Sequence, residues 1–169
     1  AIDVPSIALT QHASLWNTLP VPIASERVKT MEEVGQSYGY IAYRTTIKEA
    51  MKGELVLTEL HDYALVFVNG AAVATLDRRV KQNSVAVDVP AGATLDILVE
   101  NTARSNYGKG LRNERKGVTD KVEIGGVEIT GWQIFSLPME KGVARWAADA
   151  RPGPAFHRGT FTLTAVGDT

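Results

Sequence analysis

The sequence contains no cysteine, and this absence excludes disulfide bonds, thiolate zinc sites and a cysteine nucleophile. It also lacks any apolar run close to the roughly 18 residues that a membrane-spanning helix needs. The first ten residues, AIDVPSIALT, have neither the basic nor the apolar region of a signal peptide, so we expect none in this stretch. Because cysteines and a recognisable targeting segment are both lacking, the sequence does not indicate a cellular compartment.

Metal and nucleic-acid signatures are missing as well. The three histidines, His12, His61 and His157, are far apart in the sequence and lack the paired spacing of a metal site. We therefore expect no cofactor, although a structural calcium ion held by backbone carbonyls and a carboxylate would leave no sequence pattern. The net charge of −1 and the pI near 6.4 give no overall attraction to nucleic acid, and no membrane partner is expected.

What the sequence does contain is a succession of short segments rich in β-branched and aromatic residues, which predict strands. Asn69-Gly70 lies between two apolar runs and is the strongest hairpin signal in the chain, because a type I′ turn needs positive φ at both central positions. Thr30 and Glu33 fit a capping box that starts one short helix. We predict an all-β fold, a β-sandwich or jelly roll, with strands near 7–10, 38–47, 55–57, 64–68, 72–76, 84–89, 95–100, 121–124, 127–129, 132–137 and 156–163.

The most distinctive stretch follows the predicted strand at 95–100. From Asn101 to Lys121 it carries six cations against two anions, a local net charge of +4. Polar loops that leave a buried strand often carry binding function. The alternative is a solvated surface loop whose arginines pair with nearby acids.

Candidate chemistry is sparse. Residues 35–39 match G-x-S-x-G, and Asp62 and His157 follow in the order of an α/β-hydrolase triad. A nucleophile elbow needs a strand before the serine and a helix after it, whereas the pattern here predicts the reverse, so we reject a hydrolase triad. No spacing marks a pair of catalytic carboxylates.

Aromatic residues offer a second kind of site, a surface for sugar binding. Trp132 lies in a predicted strand and is expected to pack in the core. Tyr107 lies in the polar loop beside Asn106, where a ring can cover the C–H face of a sugar while neighbouring amide or guanidinium groups bind hydroxyls.

Five stretches of this sequence occur in an order typical of one family. They are GQSYGYIAYRTTI (35–47), HDYALVFVNGAAVATLDRR (61–79), LDILVENTARSNYGKGLRNERKGVT (95–119), GWQIFSLPM (131–139) and PAFHRGTFTL (154–163). Together they resemble the non-catalytic C-terminal part of glycoside hydrolase family 35 β-galactosidases. Thr102-Ala103 departs from the Met-Gly that this family often has before the loop arginine.

The resemblance implies a galactose-binding-domain-like jelly roll over residues 36–138. Residues 1–35 would be an extended segment with a short helix that belongs to a neighbouring β-domain, 139–153 a linker, and 154–169 a strand of a truncated second β-domain. In the family the catalytic glutamates lie in a (β/α)₈ barrel, and no part of this sequence resembles that barrel. The resemblance thus implies a chain that is not an enzyme alone but is part of a retaining β-galactosidase, with a periplasmic or secreted bacterial parent favoured.

The same resemblance assigns roles to the polar loop. Arg104, Asn106 and Tyr107 would contact the sugar or the barrel, while Asn101, Arg115 and Lys116 would support the loop. The implied partners are a galactoside or other carbohydrate and the parent's barrel.

Two alternatives stay open. One is an autonomous carbohydrate-binding module for galactose-containing glycans. The other is self-association through exposed edge strands near Ile7 and at 160–163, because unpaired edges can pair with each other or with another chain.

Overall fold

The computed structural model describes residues 5–143, 145–147 and 152–163. It is all-β, as predicted, and its contacts divide the chain into two compact units. The larger unit covers residues 20–140, and the smaller unit combines residues 1–19 with 141–169. The sequence-based division placed residues 20–35 outside the jelly roll, whereas these contacts group them with it. The reason is that the strand at Ile23–Ser25 pairs with the strand at Trp132–Leu137.

Fourteen strands and four short 3-10 helices lie in the described residues. The 3-10 helices are Leu15–Asn17, Glu32–Val34, Arg78–Val80 and Lys109–Arg112. The strands are β1 (Gln11–Ser14), β2 (Ile23–Ser25), β3 (Tyr40–Thr46), β4 (Met51–Leu57), β5 (Leu60–His61), β6 (Tyr63–Val68), β7 (Ala71–Asp77), β8 (Ser84–Val89), β9 (Thr94–Glu100), β10 (Gly117–Val118), β11 (Val122–Ile124), β12 (Val127–Glu128), β13 (Trp132–Leu137) and β14 (Ala155–Arg158).

The larger unit is a β-sandwich of the jelly-roll class. Its six-stranded sheet has the order β2-β13-β3-β9-β6-β7, its four-stranded sheet has the order β12-β11-β4-β8, and β10 pairs with β5. The inward faces of both sheets supply one hydrophobic core. Trp132 and Tyr43 meet edge to face in this core, with ring centroids 6.2 Å apart, so the expectation that Trp132 is a core residue is confirmed.

The predicted hairpin at Asn69-Gly70 is present, and a second hairpin lies at Gly125-Gly126. Asn69 and Gly70 join β6 to β7 with φ values of 50° and 79°, as a type I′ turn requires. Gly125 and Gly126 join β11 to β12, also with positive φ.

The capping box is also confirmed. The backbone N–H of Thr30 donates to Glu33 Oε2 at 2.8 Å, and the N–H of Glu33 donates to Thr30 Oγ1 at 3.2 Å. The helix that follows is one short 3-10 turn, which ends at Gly35 with φ 73°. Three further 3-10 turns, which the sequence analysis did not predict, lie elsewhere in the described residues.

In the smaller unit the predicted strands were misplaced. The stretch around Ile7 is not a strand, and β1 begins only at Gln11. The predicted strand at 156–163 is β14, which ends at Arg158. The two strands pair with each other, with Gln11 opposite Arg158. The apolar side chains near Ile7 do not by themselves make a strand, because strand formation depends on the available pairing partner.

The self-association hypothesis was built on strand edges near Ile7 and at 160–163, and neither stretch is a strand in the structure. Part of the expected linker is paired, because Ala147 forms a β-bridge with His12. Self-association itself stays a prediction.

Candidate functional site

The polar loop predicted to carry function runs from residue 101 to residue 116, between β9 and β10. We call residues 101–105 and 113–116 its base and residues 106–112 its tip. β9 is buried on both faces, so the loop starts from a rigid strand. One 3-10 turn, Lys109–Arg112, lies in the tip.

The first half of the base is fastened to the segment before β3. The backbone N–H of Asn101 donates to the Gly39 carbonyl at 3.1 Å. Asn101 Nδ2 and Arg104 Nε both donate to the carbonyl of Ser37, at 3.1 and 2.7 Å. Arg104 also forms an ion pair with Glu32, with Nη1 2.6 Å from Oε1. The G-x-S-x-G stretch therefore provides backbone acceptors for the loop.

Gly39 is required by this arrangement. Its φ is +88°, and a Cβ built on it would lie 2.4 Å from the carbonyl oxygen of Leu137. Such a contact is too short for any side chain, so the close approach of the two segments depends on glycine.

The second half of the base is held by four charged side chains, Asp62, Arg78, Glu114 and Lys116, which we call the ion cluster. Lys116 Nζ lies 2.7 Å from Asp62 Oδ2 and 3.0 Å from Glu114 Oε1. Arg78 Nη1 lies 3.0 Å from Asp62 Oδ1 and 3.5 Å from Glu114 Oε1. The side chain of Lys116 is only 1% exposed. Two cations and two anions balance, which is the condition for burying such charges.

The ion cluster also ties the two halves of the base together. Glu114 Oε2 accepts the backbone N–H of Ser105 at 2.6 Å. Thr102 Oγ1 donates to Asp62 Oδ2 at 3.1 Å. The backbone N–H of Lys116 donates to Glu32 Oε2 at 3.0 Å, so Glu32 binds both the beginning and the end of the loop.

These contacts keep the carboxylates ionised. The hydrogen bond from the Ser105 backbone, together with Lys116, lowers the pKa of Glu114 to about 2. Burial by itself raises the pKa of Asp62, but the hydrogen bonds from Lys116 and Arg78 outweigh it and the pKa is lowered. In Glu32 burial is likewise outweighed, by the Lys116 backbone and by Arg104, and its pKa is lowered.

Arg115 supports the loop through its backbone. His61 Nδ1 lies 2.7 Å from the Arg115 carbonyl, and since a carbonyl can only accept, the ring donates this hydrogen bond. The Arg115 side chain is exposed.

The tip is exposed and is not part of these contacts. Tyr107 is 92% exposed and Leu111 is 53% exposed. Asn106, Lys109 and Arg112 are exposed as well. Among the described residues, the ion pairs found do not include Lys109, Arg112 or Arg115.

The structure thus separates the residues that the sequence analysis grouped together. Asn101, Arg104 and Lys116 lie in the base, where Asn101 Nδ2, Arg104 Nε and Lys116 Nζ all donate within the domain, whereas Asn106 and Tyr107 lie in the tip. For Arg104 the alternative interpretation of the loop, in which its arginines pair with nearby acids, is correct, since Arg104 pairs with Glu32. The sequence pattern did not predict four partners of the loop, namely Glu32, Asp62, Arg78 and Glu114. The one local indication of an ion pair was the adjacent Glu114-Arg115-Lys116.

Among residues 5–143, 145–147 and 152–163, no group of three histidine or acidic side chains is placed to hold a metal ion. No helix in that part of the chain is long and apolar enough to cross a membrane.

Comparisons with known proteins agree with one another. Residues 29–138 match the family model described as "Beta-galactosidase, first all-beta domain". A β-galactosidase from Xanthomonas manihotis is 45% identical over 169 residues, covering 98% of this chain and 28% of that protein. Human beta-galactosidase-1-like protein 2 is 33% identical, covering 92% of this chain and 26% of its own length. A β-galactosidase from Bos taurus is 38% identical over 72% of this chain and covers 19% of its own length. The chain therefore spans less than a third of these relatives.

Proposed function

Because this chain belongs to the family of the first all-β domain of β-galactosidase, we propose that it is a non-catalytic accessory domain of a β-galactosidase-like glycoside hydrolase. In this role it docks on the catalytic (β/α)₈ barrel and uses the 101–116 loop to shape the galactoside site. The parent is a retaining β-galactosidase, and the barrel supplies its catalytic carboxylates.

The observation that carries this proposal is the contrast between the base and the tip of the loop. The base is clamped by the ion cluster and by the Arg104–Glu32 pair, whereas the tip exposes a tyrosine and a leucine side chain. Exposed large apolar side chains on a clamped loop are typical of contact surfaces, because binding then orders few additional groups.

The charge of the tip indicates the chemistry of the surface it meets. Lys109 and Arg112 project from the tip, and Arg115 projects from the base next to it. A barrel rim that carries carboxylates complements these cations, and an apolar hollow complements Tyr107 and Leu111. Charge complementarity of this kind sets orientation and association rate more than affinity.

An exchange experiment tests the role in the whole enzyme. This chain replaces the corresponding segment of the Xanthomonas manihotis β-galactosidase, and turnover of nitrophenyl galactoside is measured. We expect an active chimera in which Tyr107→Ala raises KM or lowers kcat severalfold. The matched control is Val127→Ala, which removes another exposed apolar side chain, in the β11–β12 hairpin of the four-stranded sheet. Equal kinetics for the two variants would contradict the proposal, as would turnover by the isolated 169-residue chain.

A second candidate function is an autonomous carbohydrate-binding module. The nearly complete exposure of Tyr107 beside Asn106 favours it, because an exposed ring next to an amide suits a sugar face. Calorimetric titration of the isolated chain with galactose and galactans separates the two functions. Saturable heat that Tyr107→Ala abolishes supports the binding module, and flat heats up to millimolar sugar support the accessory role alone.

A further inference from the structure

The smaller unit contains a groove of about 450 Å³, which is in the size range of small-molecule sites. It lies beside β1, and its lining includes His12, Ser14, Asn17, Thr18, Arg145 and Trp146. These residues all belong to the smaller unit, whereas the 101–116 loop belongs to the larger unit. The groove is therefore a candidate site in its own right.

The walls of the groove are joined by backbone hydrogen bonds. His12 pairs with His157 in the β1–β14 ladder. On its other side, His12 exchanges two hydrogen bonds with Ala147, each 2.8 Å long. The segment that carries Arg145 and Trp146 is thus attached directly to β1.

The indole ring of Trp146 is oriented before any ligand binds. The guanidinium carbon of Arg158 lies 4.5 Å from the ring centroid, a favourable cation–π distance. Arg158 is itself held by Gln11, through an Nε–Oε1 hydrogen bond of 2.7 Å. An aromatic surface fixed in this way contacts a ligand with little loss of side-chain entropy.

Polar groups of the kind that bind hydroxyls line the same groove as this ring. Ser14 and Asn17 line the groove. Thr18 Oγ1 donates to the Leu15 carbonyl at 2.9 Å, so its oxygen remains able to accept. His12 also lines the groove, and its Nδ1 lies 2.6 Å from His157 Nδ1. A groove that combines an aromatic ring with small hydroxyl and amide groups suits a pyranose.

The charge of the lining residues indicates which class of sugar the groove favours. No aspartate or glutamate is among the described lining residues, and Arg145, which is exposed, is the lining residue with a permanent charge. Arginine binds carboxylates through paired N–H donors. We propose that this groove is a saccharide site that binds a pyranose stacked on Trp146 and prefers one that carries a carboxylate, a uronic acid.

The test uses the 169-residue chain labelled with ¹⁵N at its tryptophan indoles, titrated with galacturonate and, as the matched sugar without a carboxylate, with galactose. Trp146→Ala assigns one of the three indole signals. We expect that signal to shift saturably at millimolar galacturonate and more weakly with galactose, while the buried Trp132 signal stays fixed. Arg145→Gln is expected to weaken galacturonate binding roughly tenfold, to the level of galactose.

Three results would overturn the proposal. One is the absence of any saturable shift, the second is equal affinity for the two sugars, and the third is loss of binding in Tyr107→Ala, which would place the sugar on the 101–116 loop. Since Trp146→Ala could disturb the smaller unit, Asn17→Ala serves as a milder second variant, and it is expected to weaken binding of both sugars equally. The result is independent of the accessory role, because the chimera's kinetics test that role separately.

Discussion

Replacing Lys116 with methionine is the most direct test of the ion cluster. Methionine keeps most of the aliphatic volume but removes the ammonium group that lies 2.7 Å from Asp62 and 3.0 Å from Glu114. The lysine side chain is 1% exposed, and the two carboxylates are 9% and 11% exposed. Water therefore cannot replace the lost partner.

The expected loss of unfolding free energy follows from this burial. Removing one partner of a buried ion pair costs about 3–5 kcal/mol, because the remaining charge is left uncompensated. Arg78 still contacts both carboxylates, so we expect the lower end, about 3 kcal/mol. For a chain of this length that corresponds to a fall in Tm of about 6–12 °C.

Urea unfolding followed by tryptophan fluorescence measures the change, with Lys52→Met as the matched control. Lys52 pairs with Asp88 at 3.2 Å, but the two side chains are 81% and 71% exposed, so its replacement is expected to cost at most about 0.5 kcal/mol. Adding Glu114→Gln to Lys116→Met removes the unpaired negative charge and leaves Asp62 opposite Arg78. The double variant should therefore be more stable than Lys116→Met alone. If the two lysine variants lost equal stability, the cluster would not hold the loop as described.

Three further results are expected. The pKa of Glu114 is lowered from 4.5 to about 2, so its contribution to stability is present above pH 4.5 and is lost as the pH falls through 2. The difference in unfolding free energy between wild type and Glu114→Gln should therefore narrow between pH 4.5 and 2. A constant difference over that range would refute the assignment. Gly39→Ala should cost about 3 kcal/mol by forcing two segments apart. Gly70→Ala, with φ +79° and nothing within 4 Å of its Cβ, should cost only about 1–2 kcal/mol. Urea unfolding compares the two variants, and equal losses would refute the role of the Leu137 contact. Sedimentation at rising concentration tests self-association, and a strict monomer would contradict it.

The sequence predicted those features that depend on neighbouring residues. The hairpin at Asn69-Gly70 and the capping box from Thr30 to Glu33 were both correct. Each is specified within four residues, by backbone geometry or by a side chain that reaches the adjacent turn. The core strands β3, β9 and β13 were predictable for the same reason, since their apolar residues are consecutive or alternate.

The support of the loop was not predictable in this way. Lys116 counted as one of the cations of a polar loop, yet it is buried against Asp62, which is 54 positions away in the sequence. Arg104 meets Glu32 across an even longer separation. A count of local charges cannot find such pairs, because they form only when the fold has brought β5, β9, β10 and the 3-10 turn at Glu32–Val34 together.

The glycines of the tip, Gly108 and Gly110, have open space on all sides of an added Cβ. The ion cluster and the Arg104–Glu32 pair involve no residue of 106–112, so the side chains of this segment can change without removing those contacts. The tip is therefore a place where an engineer can graft a recognition sequence while the ion cluster keeps both of its ends in register.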